Sequence, residues 1–196
     1  MKKFFLLITG FIFSLTIVAQ GKSGEKGKAK SKNERSASIV NNEQKEKEAR
    51  EKKVHDEHSK KIWEGTSGNG PKSSKNQPAK VRAVFQRDYP NASNVSWSKY
   101  RGDWAANFGN GFYGLTALYH ANGERRDTRT VITRNEMPQN VLDGIFKNRP
   151  GASIENIIKI ETPNTVNAIF RIKDIIQGKP GYFYYNSDGN LVKYNY

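Results

Sequence analysis

Hydrophobic and polar positions divide the chain into three stretches. Residues 4–19 are apolar except at Thr9, Gly10, Ser14 and Thr16, and follow Lys2 and Lys3. Residues 20–77 hold only five large apolar side chains: Ile39, Val40, Val54, Ile62 and Trp63. In residues 78–196 apolar positions return in two rhythms. A recurrence of about 3.6 residues predicts a helix with one buried stripe, and a recurrence of two predicts a strand with one buried face.

The helical rhythm occurs twice. Val81, Val84, Phe85 and Tyr89 form one stripe, and Val141, Leu142, Ile145 and Phe146 form another. Each follows a proline, Pro78 or Pro138, suited to a first helical turn where a missing N–H costs little. Each stops before Pro90 or Pro150, because the residue before a proline is steered away from helical backbone. After each helix the rhythm shortens. In the first half, Val95/Trp97/Lys99 and Trp104/Ala106/Phe108 alternate around a turn at Arg101-Gly102-Asp103. Gly109-Asn110-Gly111 reads as a second turn leading into 112–119, and Asn122-Gly123 reverses the chain toward 125–133. In the second half strands are predicted at 153–161, 166–173, 181–185 and 191–196, separated by Pro163-Asn164, residues 178–181 and Asp188-Gly189. Asn-Gly and Asp-Gly favour the positive φ of tight hairpins.

The halves align at an offset of 60 residues, Pro78 on Pro138, Val81 on Val141, Pro90 on Pro150, Ala92 on Ala152 and Ser93 on Ser153; Asn122-Gly123 later matches Asp188-Gly189. This predicts an α+β fold of two tandem units, about 78–134 and 135–196, each a helix plus four strands. An antiparallel sheet would then carry both helices on one face.

Charge and composition sharpen the remainder. The chain has 33 Lys+Arg against 19 Asp+Glu and no cysteine. Disulfide scaffolds, thiol enzymes, zinc ribbons, iron–sulfur centres and cysteine-borne lipid anchors are therefore excluded. The basic start, apolar run and Ala19-Gln20 junction predict a signal peptide over 1–19, and hence export. Residues 20–77 carry 15 Lys+Arg and 9 Asp+Glu, too polar to offset the entropy of ordering. They read as a basic, disordered or partly helical arm. Glu43/Lys47, Glu46/Arg50 and Glu48/Lys52 at i,i+4 support a solvated helix over 42–63, and 65–77 reads as a linker. The arm's positive charge suggests weak polyanion contact, although interleaved glutamates and a single tryptophan favour a solvated spacer. His55 and His58 fall on roughly one helical face, short of the four ligands a closed zinc site needs.

Phe85-x3-Tyr89-Pro90-x-Ala92-x2-Val95-x-Trp97, with Trp104–Phe108 and Tyr119-x2-Asn122-Gly123, resembles the PepSY-like family with a beta-lactamase-inhibitor-protein-like fold. The resemblance covers about 78–196. It implies an exported bacterial protein, often carrying the unit twice, that binds or inhibits rather than catalyses. The second unit departs from the pattern, with Arg149 where the first has Tyr89 and isoleucine (Ile157 or Ile158) at the position equivalent to Trp97. The shared motif is structural and transfers no catalytic residue.

No constellation of catalytic residues is visible. His120 lies beside the Asn122-Gly123 turn without a nucleophile-elbow pattern, and reads as an exposed hairpin histidine. Gly109-Asn110-Gly111 is too short for a phosphate cradle and does not open a helix. Asp103, Asp127, Asp143 and Glu155 lack metal-ligand spacing. No enzyme, cofactor or metal is expected. The aromatic strands remain: Trp97, Trp104, Tyr113, Tyr182 and Tyr184 are the candidate partner-binding residues, since Trp and Tyr join a large apolar body to a polar tip. Tyr182 and Tyr184 share one face of their strand. The expected function is protein or peptide binding through the sheet wall left free by the two helices, in an exported and more specifically periplasmic protein. The alternative is a cell-envelope polyanion binder acting through residues 20–77.

Overall fold

Tight turns fold the 71–194 region into one antiparallel meander. The computed structural model describes residues 30–66 and 71–194, with side chains from Ile39 onward. The predicted signal peptide, the start of the arm and Tyr196 lie outside the described residues. The elements are α1 (Lys30–Trp63), β1 (Lys72–Ser73), α2 (Ala79–Asp88), β2 (Ser93–Tyr100), β3 (Asp103–Asn110), β4 (Tyr113–Tyr119), β5 (Arg125–Ile132), α3 (Gln139–Asn148), β6 (Ile154–Glu161), β7 (Ile169–Ile176), β8 (Lys179–Asn186) and β9 (Leu191–Val192). A 3-10 turn, Arg134–Glu136, precedes α3. All nine strands form one sheet in sequence order. Met1–Asn41 and Asn42–Tyr196 are separate compact units; in the first, the described backbone is helical from Lys30.

Two hairpins use residues at positive φ in both turn positions, Arg101-Gly102 and Gln177-Gly178, matching the twist of the strands they join. The β3–β4 turn is Gly111-Phe112, because Asn110 pairs with Tyr113. Gly109 therefore lies inside β3 and does not belong to the turn predicted at 109–111. Three other boundaries shift. Val166 is fully exposed in the loop before β7, so that strand begins at Ile169. The β7–β8 turn tightens to residues 177–178, and the predicted linker contains β1, whose Lys72 and Ser73 pair with Lys99 and Ser98.

The helix-plus-four-strand order appears twice with matching local geometry. Pro78 and Pro138 precede α2 and α3 at φ/ψ of −56/143 and −57/141. The N–H groups of Tyr89 and Arg149 close the helices on the Phe85 and Ile145 carbonyls, each at 2.8 Å. Gly123 N–H bonds to His120 O, and Gly189 N–H to Asn186 O.

Register decides which side chains share a face. Leu115, Thr130, Lys159, Phe170 and Tyr185 form one continuous row across β4–β8. On this face α2 buries Val81 and Phe85 against Trp104, Ala106, Phe108, Ala117 and Tyr119. Beside it α3 buries Val141 and Ile145 against Ile157, Phe170, Ile172 and Tyr185. Both short helices therefore lie on one face, as expected.

The opposite face is not bare. Its rows run through Thr116, Arg129, Ile160 and Ile169, and through Val131, Ile158, Arg171 and Tyr184. The last turns of α1 cover it, with Ile62 and Trp63 packed among Tyr100, Ala105, Leu118, Ile158 and Ile160. Residues 42–50 and 52–54 of that helix stand exposed, as a solvated helix should. From His55 to Glu64 the arm is part of the fold, which corrects the reading of 20–77 as a spacer.

Candidate docking face

The end of α1 meets the sheet along Glu51, His55, His58, Ser59 and Ile62, all partly or fully buried. Their three- and four-residue spacing places them on one helical face. The sheet below is built from small residues. Gly109 and Gly114 are cross-strand partners, and a Cβ at either would overlap the His55 or His58 ring respectively. Neither has positive φ, so the close approach of α1, rather than backbone conformation, selects glycine there. The Gly114 N–H donates to His58 Nδ1 at 2.9 Å, which fixes a neutral ring protonated on Nε2. Desolvation, Lys61 and His55 lower the His58 pKa below its usual 6.5. Ser59 donates to Asn107 Oδ1 at 3.2 Å, and Thr116 to the same oxygen at 2.6 Å.

The helix ends over a cationic floor. The final carbonyls of a helix lack intrahelical partners and carry partial negative charge. Arg171, 2% exposed, donates to Lys61 O at 2.7 Å and Ile62 O at 3.0 Å. Asn156 donates to Lys61 O at 3.0 Å. Lys173 holds Glu64 at 2.6 Å and Glu155 at 3.1 Å; these hydrogen-bonded carboxylates raise its pKa. Gly65, at φ +72, turns the chain out of the helix, and a Cβ there would enter the Tyr182 ring.

Beside this floor, Trp63 sits against Tyr100 with ring centroids 4.5 Å apart and under the Arg129 guanidinium at 5.3 Å. Arg129 is buried and bonded twice by Asp127, at 2.9 and 3.2 Å. Arg171 differs: among the described residues no carboxylate is in ion-pair contact with it, its hydrogen bonds go to main-chain carbonyls of α1, and Glu64 acts on it only from longer range. Desolvation pulls its pKa down.

The five sequence candidates separate. Tyr182 and Tyr184 lie on this docking face, Tyr182 over Arg171 at 5.6 Å and Tyr184 stacked on Tyr194 at 5.3 Å. Trp97 and Trp104 lie on the other face, in the α2 core: Trp97 meets Phe85 edge-on at 5.2 Å, and Trp104 is 5% exposed. These two are not available on the wall opposite the helices, because their strand positions have the parity that points toward α2. Tyr113 is exposed at the end of a groove of about 350 Å3 on the α2/α3 side. Its hydroxyl donates to Glu136 at 2.6 Å, lowering the Glu136 pKa and raising its own.

Sequence reasoning weighed His58 only as a metal ligand and Gly109 only as a turn residue, and it passed over Ser59, Gly114, Asn156, Arg171 and Lys173. The available signal was the His55/His58/Ser59/Ile62 stripe together with two glycines inside strands. His120 bonds Asp103 at 2.8 Å, and Asp103 also binds Arg126. Among the described residues no hydroxyl is bonded to the His120 ring, no group of three side chains could hold a metal, and no helix is long and apolar enough to cross a membrane.

An open antiparallel sheet carrying two short helices on one face defines an α+β, BLIP-like architecture. Three solved structures share it. One is a DUF2874 family protein from Bacteroides ovatus, at 22% identity and a TM-score of 0.57, over 61% of this chain and 87% of that one. A BLIP-like protein from Bacteroides fragilis matches at 20% identity and 0.55, over 61% and 86%. A candidate periplasmic protein from Bacteroides eggerthii matches at 16% and 0.57, over 61% and 88%. Identities this low establish the fold alone. Neither a family model nor a curated protein sequence matches the chain.

Proposed function

We propose that this chain is an exported, non-enzymatic binding module of the PepSY-like kind, built from a duplicated unit, that docks a protein or peptide on the sheet face opposite α2 and α3. The observation that carries this reading is that the face already holds a helical segment more than 90 residues away in sequence, through Arg171, Asn156 and Lys173. Tyr182 and Tyr184 are the aromatic contacts on this face. Matched proline entries, helix closures and turn hydrogen bonds in the two halves support duplication. The basic start and apolar run of residues 1–19 support export, and the candidate periplasmic neighbour supports the periplasm as its destination.

The test is a photo-crosslinking amino acid at position 182, with position 82 on the exposed side of α2 as control. A protein adduct of one size from position 182, absent from position 82 and retained in high salt, is the expected result. No adduct from position 182, with binding to a heparin column that is lost as salt rises and on removal of residues 20–77, would overturn this reading in favour of the polyanion one, since such binding weakens steeply with ionic strength.

A further inference from the structure

We infer that the face opposite α2 and α3 is a receptor for the carboxy-terminal end of an α-helix, and that residues 55–64 plug it in the free chain. Its external partner presents a helix end of the same chemistry: an aliphatic and an aromatic residue at the last turn, followed by a carboxylate. The inference rests on the binding reading above and specifies what binds and what regulates it.

Three features of the face point to this class. Arg171 and Asn156 converge on the carbonyls of Lys61 and Ile62, atoms that are unpartnered only where a helix ends. Arg171 is buried with no carboxylate in ion-pair contact among the described residues: the end carbonyls of α1 accept its hydrogen bonds, and the Glu64 carboxylate just beyond the helix acts on it from longer range; a carboxylate brought into contact would bind it more strongly. Lys173 stands where the residue after the aromatic falls and already holds Glu64 at 2.6 Å. Between these groups, Tyr100, Leu118 and the Arg129 guanidinium shape the slot that Trp63 fills.

The plug is built to be exchanged. Only Ile62 and Trp63 bring apolar area, against Tyr100, Ala105 and Leu118; over Asn107, Gly109 and Gly114 the contact runs through histidines and a serine, which gives fit without apolar burial. Trp63 Nε1 and His55 Nδ1 are buried there without hydrogen-bond partners, a cost that a better-matched partner would not carry. The chain that follows, Gly65-Thr66-Ser67-Gly68-Asn69-Gly70, has the composition of a linker. Because the plug is covalently attached, a partner must outcompete an intramolecular ligand.

The test uses the full chain and a fluorescein-labelled peptide copying residues 52–66. In a variant whose own plug cannot seat, Ile62→Asp with Trp63→Ser, the peptide should bind at least tenfold more tightly than to the unmodified chain. Adding Arg171→Met to that variant should weaken binding at least tenfold. Should the variant fail to fold, a disulfide lock decides. Ser59→Cys with Asn107→Cys places the only two thiols in the chain at positions whose side chains already touch; oxidised, it should exclude the peptide, and reductant should restore binding. Equal peptide affinity for open and unmodified chains, indifference to Arg171, or indifference to the lock would each overturn the inference. A chain dimer that exchanges plugs would support the helix-end receptor and overturn the external partner.

Crosslinking at position 182 separates the two claims. Adducts that persist in the oxidised lock would leave the binding module standing and remove the plug. Peptide binding that obeys the lock without any adduct would do the reverse.

Discussion

Replacing Ile62 with alanine tests whether the end of α1 is seated in solution. Ile62 is wholly buried, among Tyr100, Leu118, Ile158 and Ile160, and an Ile→Ala change at such a site costs about 2–5 kcal/mol. Here the cost has a ceiling. The plug can lift from the sheet while α2 and α3 keep their own core, so a substitution confined to the plug loses at most the free energy of seating. Seating buries one aliphatic and one aromatic side chain, each worth about 1.5–3 kcal/mol, and orders the residues that bear them. We therefore expect about 2–3 kcal/mol for Ile62→Ala by urea denaturation followed by circular dichroism. The double variant with Trp63→Ala should lose clearly less than the sum of the single losses. Amides of residues 59–63 should exchange at least tenfold faster, while those of α3 remain protected. Ile145→Ala, at a comparably buried site under α3, should show no such ceiling when combined with Val141→Ala. A loss below about 0.5 kcal/mol for Ile62→Ala, or full additivity with Trp63→Ala, would refute the argument.

Four further outcomes follow, three from the seat of α1 and one from the approach of α3 to Gly189. Gly114→Val should lift the plug by overlapping His58 while suiting the strand itself; hydrogen exchange should show residues 58–63 deprotected and α3 unchanged. Arg171→Met should cost about 2–4 kcal/mol in urea denaturation, from two charge-assisted hydrogen bonds worth about 1.5–3 kcal/mol each, less the relief of a buried charge. Seating should weaken as pH falls from about 7 to 5, because the lowered His58 pKa means the released state binds the proton first, so stability rises with pH. Lys61 and His55 oppose that proton and Glu57 favours it, while Arg134, Glu136 and Glu155 line the adjoining cleft; His58→Gln should flatten the dependence, read as exchange of residues 58–63 against pH. Gly144→Ala should lower the melting temperature despite alanine's better helix propensity, because a Cβ there strikes the Gly189 backbone, and overpacking costs about 1–3 kcal/mol.

The sequence made α2, α3 and most strands legible, and the structure shows why. Their stripes are apolar, and prolines and Gly-containing turns mark their ends. The seat of α1 left no such mark. Its contact stripe is Glu51, His55, His58 and Ser59, which reads as a solvated face until Ile62 and Trp63 are placed at its end. Gly109 looked like turn glycine beside Gly111, although only Gly111 has positive φ. Alternation correctly paired Tyr182 with Tyr184 but could not say on which side Trp97 and Trp104 would fall. That parity depends on the two-residue turn at Arg101-Gly102 and on the bulge between Ser93 and Ser96, neither of which hydropathy reports. Arg171 was equally silent: a lysine or arginine in a strand usually marks a solvated face, and only its burial beneath the end of α1 shows what it holds.

The composition of the docking face argues that something always covers it. Ala105, Leu118, Ile158 and Ile160 are apolar, and alone would make an exposed patch of the kind that drives association. Arg129 and Arg171 are fully buried beside them. Arg129 keeps Asp127 whether or not α1 is seated, but Arg171 depends on whatever lies above it. Exposing the face would rehydrate Arg171 at little cost and leave the aliphatic residues wet, so the penalty for an empty site falls chiefly on the apolar part. Re-covering by a mismatched surface would bury Arg171 without acceptors, at several kcal/mol. The aliphatic residues thus demand a cover, and the arginine restricts which cover is tolerated. That division of labour gives specificity to a surface whose apolar part, taken alone, would accept many partners.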